Sequence, residues 1–413
     1  MVNQKQEANH QEPPTFTLSK PIKAGSHELD VLLAKIAENA EKRRSSGNGS
    51  HPFYAIDLIK QSRLGALRIP VEMGGGGASL RDLFKVVILL AEKDSDVAHI
   101  LRTHYGFVDE ALLTPNTELN QMIITRAAQG EIFGNASTEI SSRNVGDANY
   151  VFETTVSPDG EGYRLNGTKS FCTGTYYADW VGVRASNLEG TTVTVFVPTN
   201  REGVELEDDW DGIGQRWTGS GTTRFKNVFV YPYELVENGA EFTSNYFLQL
   251  YLQAIMAGIL RNVVSDASKL VLQRSRTFSH GAASSALEDP QIQQIIGQLS
   301  SNAFAAEAIV LSAADAQDMV FNSATDGVKN NDLIHNASLQ AAQTKVIIED
   351  FAFKAATQLF DVGGASAATK SKNLDRHWRN LRTLASHNPA MYKARAIGNY
   401  VVNGTRLPLN RYF

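Results

Sequence analysis

The chain is 413 residues long and 42% hydrophobic, which accommodates two or three domains around a large core. Its formal charge of −5, without a dense block of Lys and Arg, argues against nucleic acid or an anionic membrane as a partner. One cysteine, Cys172, excludes an internal disulfide, fits the reducing cytoplasm and reads as a small buried strand residue.

Residues 1–25 read as a poorly ordered arm, and its first 14 residues carry no apolar core like that of a secretory signal. No run approaches the roughly 18 uninterrupted apolar residues expected of a membrane span, so the expectation is a soluble, cytoplasmic chain. Residues 26–130 read as a helical domain. Leu29, Leu32, Leu33, Ile36 and Ala37 recur at three- and four-residue steps, and Ile56, Leu58, Ile59 and Leu64 repeat the theme. Four glycines, Gly74 to Gly77, interrupt it; no strand precedes them and no Lys-Ser/Thr follows, so they predict a flexible loop between helices rather than a phosphate cradle. Another helix over 80–93 has Leu83, Val86, Val87, Leu90 and Ala91 as its apolar side.

Near Ile132 the period changes. Segments 150–156, 162–166, 180–185, 192–197 and 223–230 are rich in β-branched or aromatic residues and are separated by turn formers. They predict a β domain over 131–240, folded as a barrel or sandwich. Helical patterning resumes at about 241 and continues to 413, through an Ala-rich stretch at 300–319 and a long one at 336–360. The class is α+β.

Asn135, Ser137, Thr173 and Ser220 sit at strand ends or turns, where hydroxyl and backbone N–H groups converge; each alone is an ordinary turn residue. His99 and His104 are five apart and lie on different helix faces, and no His/Glu or Cys cluster has ligand spacing, so no metal is expected.

In order and spacing, four stretches resemble the β domain of the acyl-CoA dehydrogenase superfamily. They are Phe133-Gly134-Asn135-Ala136-Ser137-Thr138-Glu139, Leu165-Asn166-Gly167-Thr168-Lys169-Ser170-Phe171-Cys172-Thr173-Gly174, Gly219-Ser220-Gly221-Thr222-Thr223 and Phe225-Lys226-Asn227-Val228. The resemblance covers nearly the whole chain and implies an N-terminal helical domain, a central β domain and a C-terminal four-helix bundle. It also implies a flavin. Asn135, Ser137, Thr173 and Ser220 would serve its pyrimidine edge, and Trp210 is either a wall for its ring or an ordinary packing residue. Arg274 and Arg276, ahead of Phe278, resemble the family's Arg-plus-Phe flavin segment, a guanidinium being suited to phosphate; the alternative is a pair of solvated helix-end arginines. Gly363-Gly364-Ala365-Ser366 resembles the family's loop that reaches the flavin of a neighbouring subunit, which implies a homo-oligomer, most often a tetramer; a plain helix terminator is the alternative.

Dehydrogenases of this superfamily remove a proton with a carboxylate on one of two helices. The matching stretches, 247–254 and 385–389, hold no carboxylate. Asp375-Arg376-His377-Trp378-Arg379-Asn380, followed by His387-Asn388-Pro389-Ala390-Met391-Tyr392-Lys393, is instead similar to dibenzothiophene monooxygenase and related bacterial sulfur-acquisition oxygenases. That branch implies reduced FMN delivered by a separate NADH-dependent reductase, reaction with O2 to a flavin hydroperoxide, and transfer of oxygen to an organosulfur or similar apolar small molecule. No Gly-x-Gly-x-x-Gly on a βαβ unit is present for a nicotinamide, in keeping with a separate reductase. The resemblance casts His387, His99, Thr173 and Asn135 as catalytic; Thr103 stands where an aromatic is expected, and His104 receives no catalytic role. Two alternatives remain at this stage: an FAD-dependent acyl-CoA dehydrogenase with a relocated base, and a flavin-free binding protein.

Overall fold

The change of period near Ile132 is a change from helices to a sheet in the computed structural model, which describes residues 20–45, 49–140, 150–236, 244–277, 279–408, 410 and 413. Most of the arm and Phe278 lie outside the described residues. In chain order the helices are α1 (His27–Ser45), α2 (Phe53–Ser62), α3 (Leu80–Lys93), α4 (Ser95–Ile100), α5 (Arg102–Ala111) and α6 (Glu118–Ala128). The strands are β1 (Phe133–Ala136), β2 (Thr155–Asp159), β3 (Gly162–Lys169), β4 (Trp180–Ser186), β5 (Thr192–Pro198), β6 (Val204–Leu206), β7 (Thr223–Val230) and β8 (Leu235–Val236). Then come α7 (Asn245–Gln273), α8 (Pro290–Ser323), α9 (Asn331–Gly363), α10 (Arg376–Ala385) and α11 (Ala390–Asn403). Two compact units are formed, one of Met1–Ser79, His99–Asp211 and Trp217–Ser244, the other of Leu80–Ala98, Gly212–Arg216 and Asn245–Phe413.

In the first unit, α1 buries Leu29, Leu32, Leu33 and Ile36, the face expected from their spacing. The four glycines are not a flexible span. The N–H groups of Gly75, Gly76 and Gly77 donate to the carbonyls of Pro70, Ala66 and Ile69, and a Cβ on Gly75 would stand 2.1 Å from the Ile69 oxygen. Glycine is needed there for backbone-to-backbone approach. Beneath the loop, buried Arg68 donates to Asp109 at 2.8 Å and to the Ala78 carbonyl at 2.6 Å.

One mixed sheet runs in the order β6-β7-β3-β2-β4-β5-β8, with β1 added parallel to β4. Its inner face is a cluster of Val156, Leu165, Val181, Val183, Val193, Val195, Val197 and Val228, mostly the β-branched residues that alternation predicts. The expected strand over 150–156 begins only at Thr155. The N–H groups of residues 152–154 bond to side chains, while the Thr154 carbonyl still accepts the Ser186 N–H of β4. The Phe152 N–H donates to Ser186 Oγ, and those of Glu153 and Thr154 donate to the Glu139 carboxylate at 2.9 and 2.8 Å. Buried Lys169 donates to the same carboxylate at 2.8 Å and lies 3.9 Å from the Phe152 ring centroid. Burial alone would raise the Glu139 carboxyl, but Lys169 and the Thr154 N–H outweigh it and hold the group at about 2.

The second unit is helical. Helices α3, α7, α8 and α9 pack against one another as a four-helix assembly whose fourth member comes from residues 80–93, far from the others in sequence. By length and composition α7 and α8 each resemble a membrane span; 83% of the apolar window of α7 is buried within this chain, as in a core helix, and 28% of that of α8. Where α7 crosses α3, a Cβ on Gly258 would lie 2.5 Å from both the Ala91 Cβ and the Ile88 carbonyl oxygen. Gly258→Ala is therefore expected to lower stability by about 1–3 kcal/mol through overpacking, more than the roughly 1 kcal/mol that alanine gains in helix propensity. A denaturant midpoint that stays level or rises would contradict that tight crossing.

Candidate active site

Within the first unit, the sheet and its turns gather hydroxyl groups around Ser220. Ser170 N–H bonds to the Thr138 carbonyl at the end of β3, and the chain then bends through Phe171 at φ 57° and Gly174 at φ 82°. The opposite loop supplies Thr218 and Ser220. Thr173 Oγ1 lies 2.9 Å from Ser220 Oγ, which lies 2.7 Å from Thr218 Oγ1. Cross-links between the two loops, Cys172 N–H to Gly221 O and Gly174 N–H to Thr218 O, hold the hydroxyls in register. Two bonds among three hydroxyls use two hydrogens. One end of the chain therefore keeps a hydrogen for a further acceptor.

Asn135 and Ser137 form a second polar pair at the end of β1, where the Ser137 hydroxyl donates to Asn135 Oδ1 at 2.6 Å. Thr175 donates to the Asn135 carbonyl at 3.0 Å, and a Cβ on Gly134 would stand 2.5 Å from Thr175, so the β1 strand and the Thr173 turn touch through a glycine. A Cβ on Gly174 would lie 2.5 Å from the Ile100 carbonyl oxygen. The bend carrying Thr173 thus rests on the end of the helix carrying buried His99. Asn135, Ser137, Thr173, Ser220 and the His99 segment are neighbours in one unit. Half-buried Trp210 packs edge-on to exposed Phe171, ring centroids 6.0 Å apart. The Thr103 hydroxyl is buried without a hydrogen-bond partner.

His104 has a different task. Its Nε2 donates to the Gly65 carbonyl at 2.9 Å, and its Nδ1 accepts the Phe133 N–H at 3.3 Å, a neutral ring that pins β1 to the turn after α2. Burial pulls its titration down to about 4. The unfolded chain therefore takes up this proton before the folded one, and the stability that the neutral ring contributes above about pH 6.5 is lost as the pH falls toward 4. Between pH 7 and pH 5 the loss is about 2 kcal/mol. His104→Gln should remove that share of the acid sensitivity, measured as unfolding free energy at the two pH values; an equal pH slope in both proteins would refute it.

The second unit holds the other sequence-predicted residues. The Asp375-to-Asn380 motif is tied to buried anchors. Arg376 and His377 both contact the Asp266 carboxylate of α7, His377 Nε2 at 2.9 Å, and Arg376 also reaches Asn262. Burial alone would raise the Asp266 carboxyl, yet His377 and Arg376 hold it far below the usual range. Arg379 bonds Asp375, Asn373 and the Ile213 carbonyl; Asn380 accepts the Gln215 N–H at 2.8 Å and donates to Ser95 Oγ at 3.0 Å. Lys393, ending the second motif, is buried 4.5 Å from the Phe413 ring centroid, and burial together with Lys345 lowers its ammonium to about 7.

His387 follows α10 on an exposed turn. Beside it, buried Asn388 donates to Gln249 Oε1 of α7 at 2.6 Å and faces His387 Nδ1 at 3.3 Å. The two stretches singled out for their missing carboxylate are thereby joined through amides. Arg274 is spent on carbonyls, donating to Arg276 O at 3.0 Å and Val362 O at 2.9 Å, which sets the Arg segment against the Gly363-Gly364 turn. Arg276 and Ser366 are exposed, and Gly364, at φ 59°, ends α9. Among the described residues no cluster of three or more His, Cys, Asp or Glu side chains is placed to hold a metal ion.

Gln249, Gln253, Asn388 and Thr218 were given no role by sequence reasoning. A signal existed for the glutamines: two amides four apart in an otherwise apolar helix are buried polar groups that require partners. Thr218 and Asn388 carried none, because their partners are distant in sequence.

Two family models match the chain, the acyl-CoA dehydrogenase middle domain over residues 136–228 and the acyl-CoA dehydrogenase C-terminal domain over 250–391. The probable FMNH2-dependent monooxygenase SfnC of Pseudomonas putida is 28% identical, covering 95% of this chain and 98% of its own length. A dibenzothiophene monooxygenase of Rhodococcus erythropolis is 29% identical over 93% and 95% of the two chains. Among solved structures, FMN-bound TdsC from a Paenibacillus species superposes with a TM-score of 0.84 at 27% identity, over 93% of this chain and 99% of that one. The methanesulfinate monooxygenase MsuC of Pseudomonas fluorescens gives a TM-score of 0.83 at 27% identity, over 93% and 98%.

Proposed function

This chain belongs to the acyl-CoA dehydrogenase superfamily, and on that premise we propose that it is a two-component monooxygenase. It takes reduced FMN from a separate NADH-dependent reductase and uses O2 to oxygenate an organosulfur compound or a similar apolar small molecule. One observation carries the choice over a dehydrogenase: neither helix segment 247–254 nor the turn after α10 holds a carboxylate, and the buried side chains that join them are the amides of Gln249 and Asn388.

The residues present fit FMN. The Thr218–Ser220–Thr173 hydroxyl chain can donate to a flavin carbonyl oxygen, and Asn135 with Ser137 offers a second polar edge. Trp210 would wall the ring, Arg276 would meet the phosphate, and Gly363, Gly364 and Ser366 would approach the flavin of a neighbouring copy. Bound reduced FMN supplies the electrons and the activated oxygen. His387 and His99 move the protons, histidine being the side chain that does so near neutral pH, and Thr173 and Asn135 orient the reacting edge.

The chain is to be assayed with FMN, NADH and a flavin reductase against sulfides, sulfoxides, sulfones, sulfinates and phenols. Oxygenated product that requires both reductase and O2 is the expected result; tightly held FAD bleached by an acyl-CoA would establish the dehydrogenase instead. His387→Ala should lower product formation about 100-fold or more while FMN affinity stays within a few-fold, and wild-type turnover in that variant would remove His387 from the mechanism. Self-association is supported by large apolar side chains exposed on α8 and α11, among them Phe304 (76%), Met391 (71%) and Val402 (79%). Light scattering should report a tetramer; a monomer at micromolar concentration would refute this.

A further inference from the structure

We propose that the buried Asn388–Gln249 amide pair fixes the tautomer of His387, so that the neutral ring accepts at Nδ1 and carries its hydrogen on Nε2. The inference rests on the assignment of His387 above and names the residues that position it. Asn388 Nδ2 lies 2.6 Å from Gln249 Oε1 and 3.3 Å from His387 Nδ1. An amide nitrogen has two hydrogens and no lone pair to offer, so both neighbours act as acceptors.

Turning the amide over would place Oδ1 at those contacts and leave a buried NH2 without a partner. In the observed arrangement only the Asn388 Oδ1 lacks one. With Asn388 just 5% exposed, the distinction matters, because an unpaired carbonyl oxygen is better tolerated in the interior than an unpaired N–H.

Neither partner is free to drift. Gln249 is 2% exposed on the core helix α7, and Gln253 Nε2 donates to its carbonyl at 3.2 Å. The turn is held on its own side by the His387 N–H to Leu384 O bond at 3.3 Å and by Lys345 Nζ to Ala385 O at 3.2 Å. Pro389 then restricts the backbone of Asn388. The ring is therefore oriented before any ligand arrives, with its hydrogen on Nε2.

The test uses full-length protein labelled with 15N-histidine, observed at about pH 9, above the ordinary titration range of histidine. The His387 signals are assigned by their loss in His387→Gln, and couplings to the ring C–H groups tell Nδ1 from Nε2. The imine-type nitrogen should be Nδ1 in the wild type. In Asn388→Asp, whose carboxylate only accepts, it should become Nε2, and in Asn388→Leu the two forms should average. A protonated Nδ1 in the wild type, or no exchange of the two signals in Asn388→Asp, overturns the proposal. As a second readout, oxygenated product per NADH consumed should fall about tenfold in Asn388→Asp with FMN affinity unchanged. A wild-type protein that oxygenates nothing would count against the functional reading; the nitrogen signals, which need no flavin, decide the tautomer on their own.

Discussion

The second unit hangs the helix before His387 on one largely buried carboxylate. Asp266 receives both Arg376 and His377, and those contacts fix α10 on the core helix α7. A charge in the interior is tolerated only when fully paired, and removing one partner of such a pair typically costs about 3–5 kcal/mol. Arg379 and Asn380 extend the same anchor to Ile213 and Gln215. The Asp-Arg-x-Trp-Arg-Asn stretch, the most recognisable run in the chain, is thus occupied with holding backbone in place. Its consequence for chemistry is indirect, through the position it gives His387 and Asn388.

A parallel constraint shapes the first unit, where close backbone approach does what charge does in the other. At Gly134, Gly174, Gly219 and Gly221 an added Cβ would fall within 2.6 Å of a neighbouring atom. Each close approach brings a hydroxyl- or amide-bearing turn against the next, and the Thr218–Ser220–Thr173 chain and the Asn135–Ser137 pair result. Polar side chains that would be unremarkable in separate turns become a set because the turns can touch.

The amides of Gln249 and Asn388 join α7 to the turn after α10 in the positions where a dehydrogenase of this superfamily would carry a carboxylate. Neither position holds a carboxylate; Asn388 instead donates to Gln249 and lies 3.3 Å from His387 Nδ1. A scaffold of this kind keeps a place for a flavin while giving up C–H proton abstraction. That combination suits chemistry in which oxygen, rather than an acyl chain, meets the reduced ring.

Much of this was legible in the residues themselves. Period-2 and period-3.6 patterning marked the sheet and the helices, since alternation and the three-four step follow from local geometry alone. Turn residues and motifs at Asn135, Thr173, Ser220 and His387 marked where polar groups would gather. Other features depended on partners far away in the chain. Residues 150–154 look like a strand, yet the Glu139 carboxylate takes the N–H groups of Glu153 and Thr154. The four glycines look like slack, yet they are bonded to residues 66–71. His104 is on the same run as His99, yet it is a buried pin between Gly65 and Phe133. The fourth helix of the second unit comes from residues 80–93. The chain alone therefore determined element type, fold class and the inventory of reactive groups, because these depend on neighbours a few residues apart. Tertiary structure alone decided which polar groups share a hydrogen, which charge is buried and which partners each histidine meets, because a hydrogen bond or an ion pair exists only once folding has brought distant residues within about 3 Å.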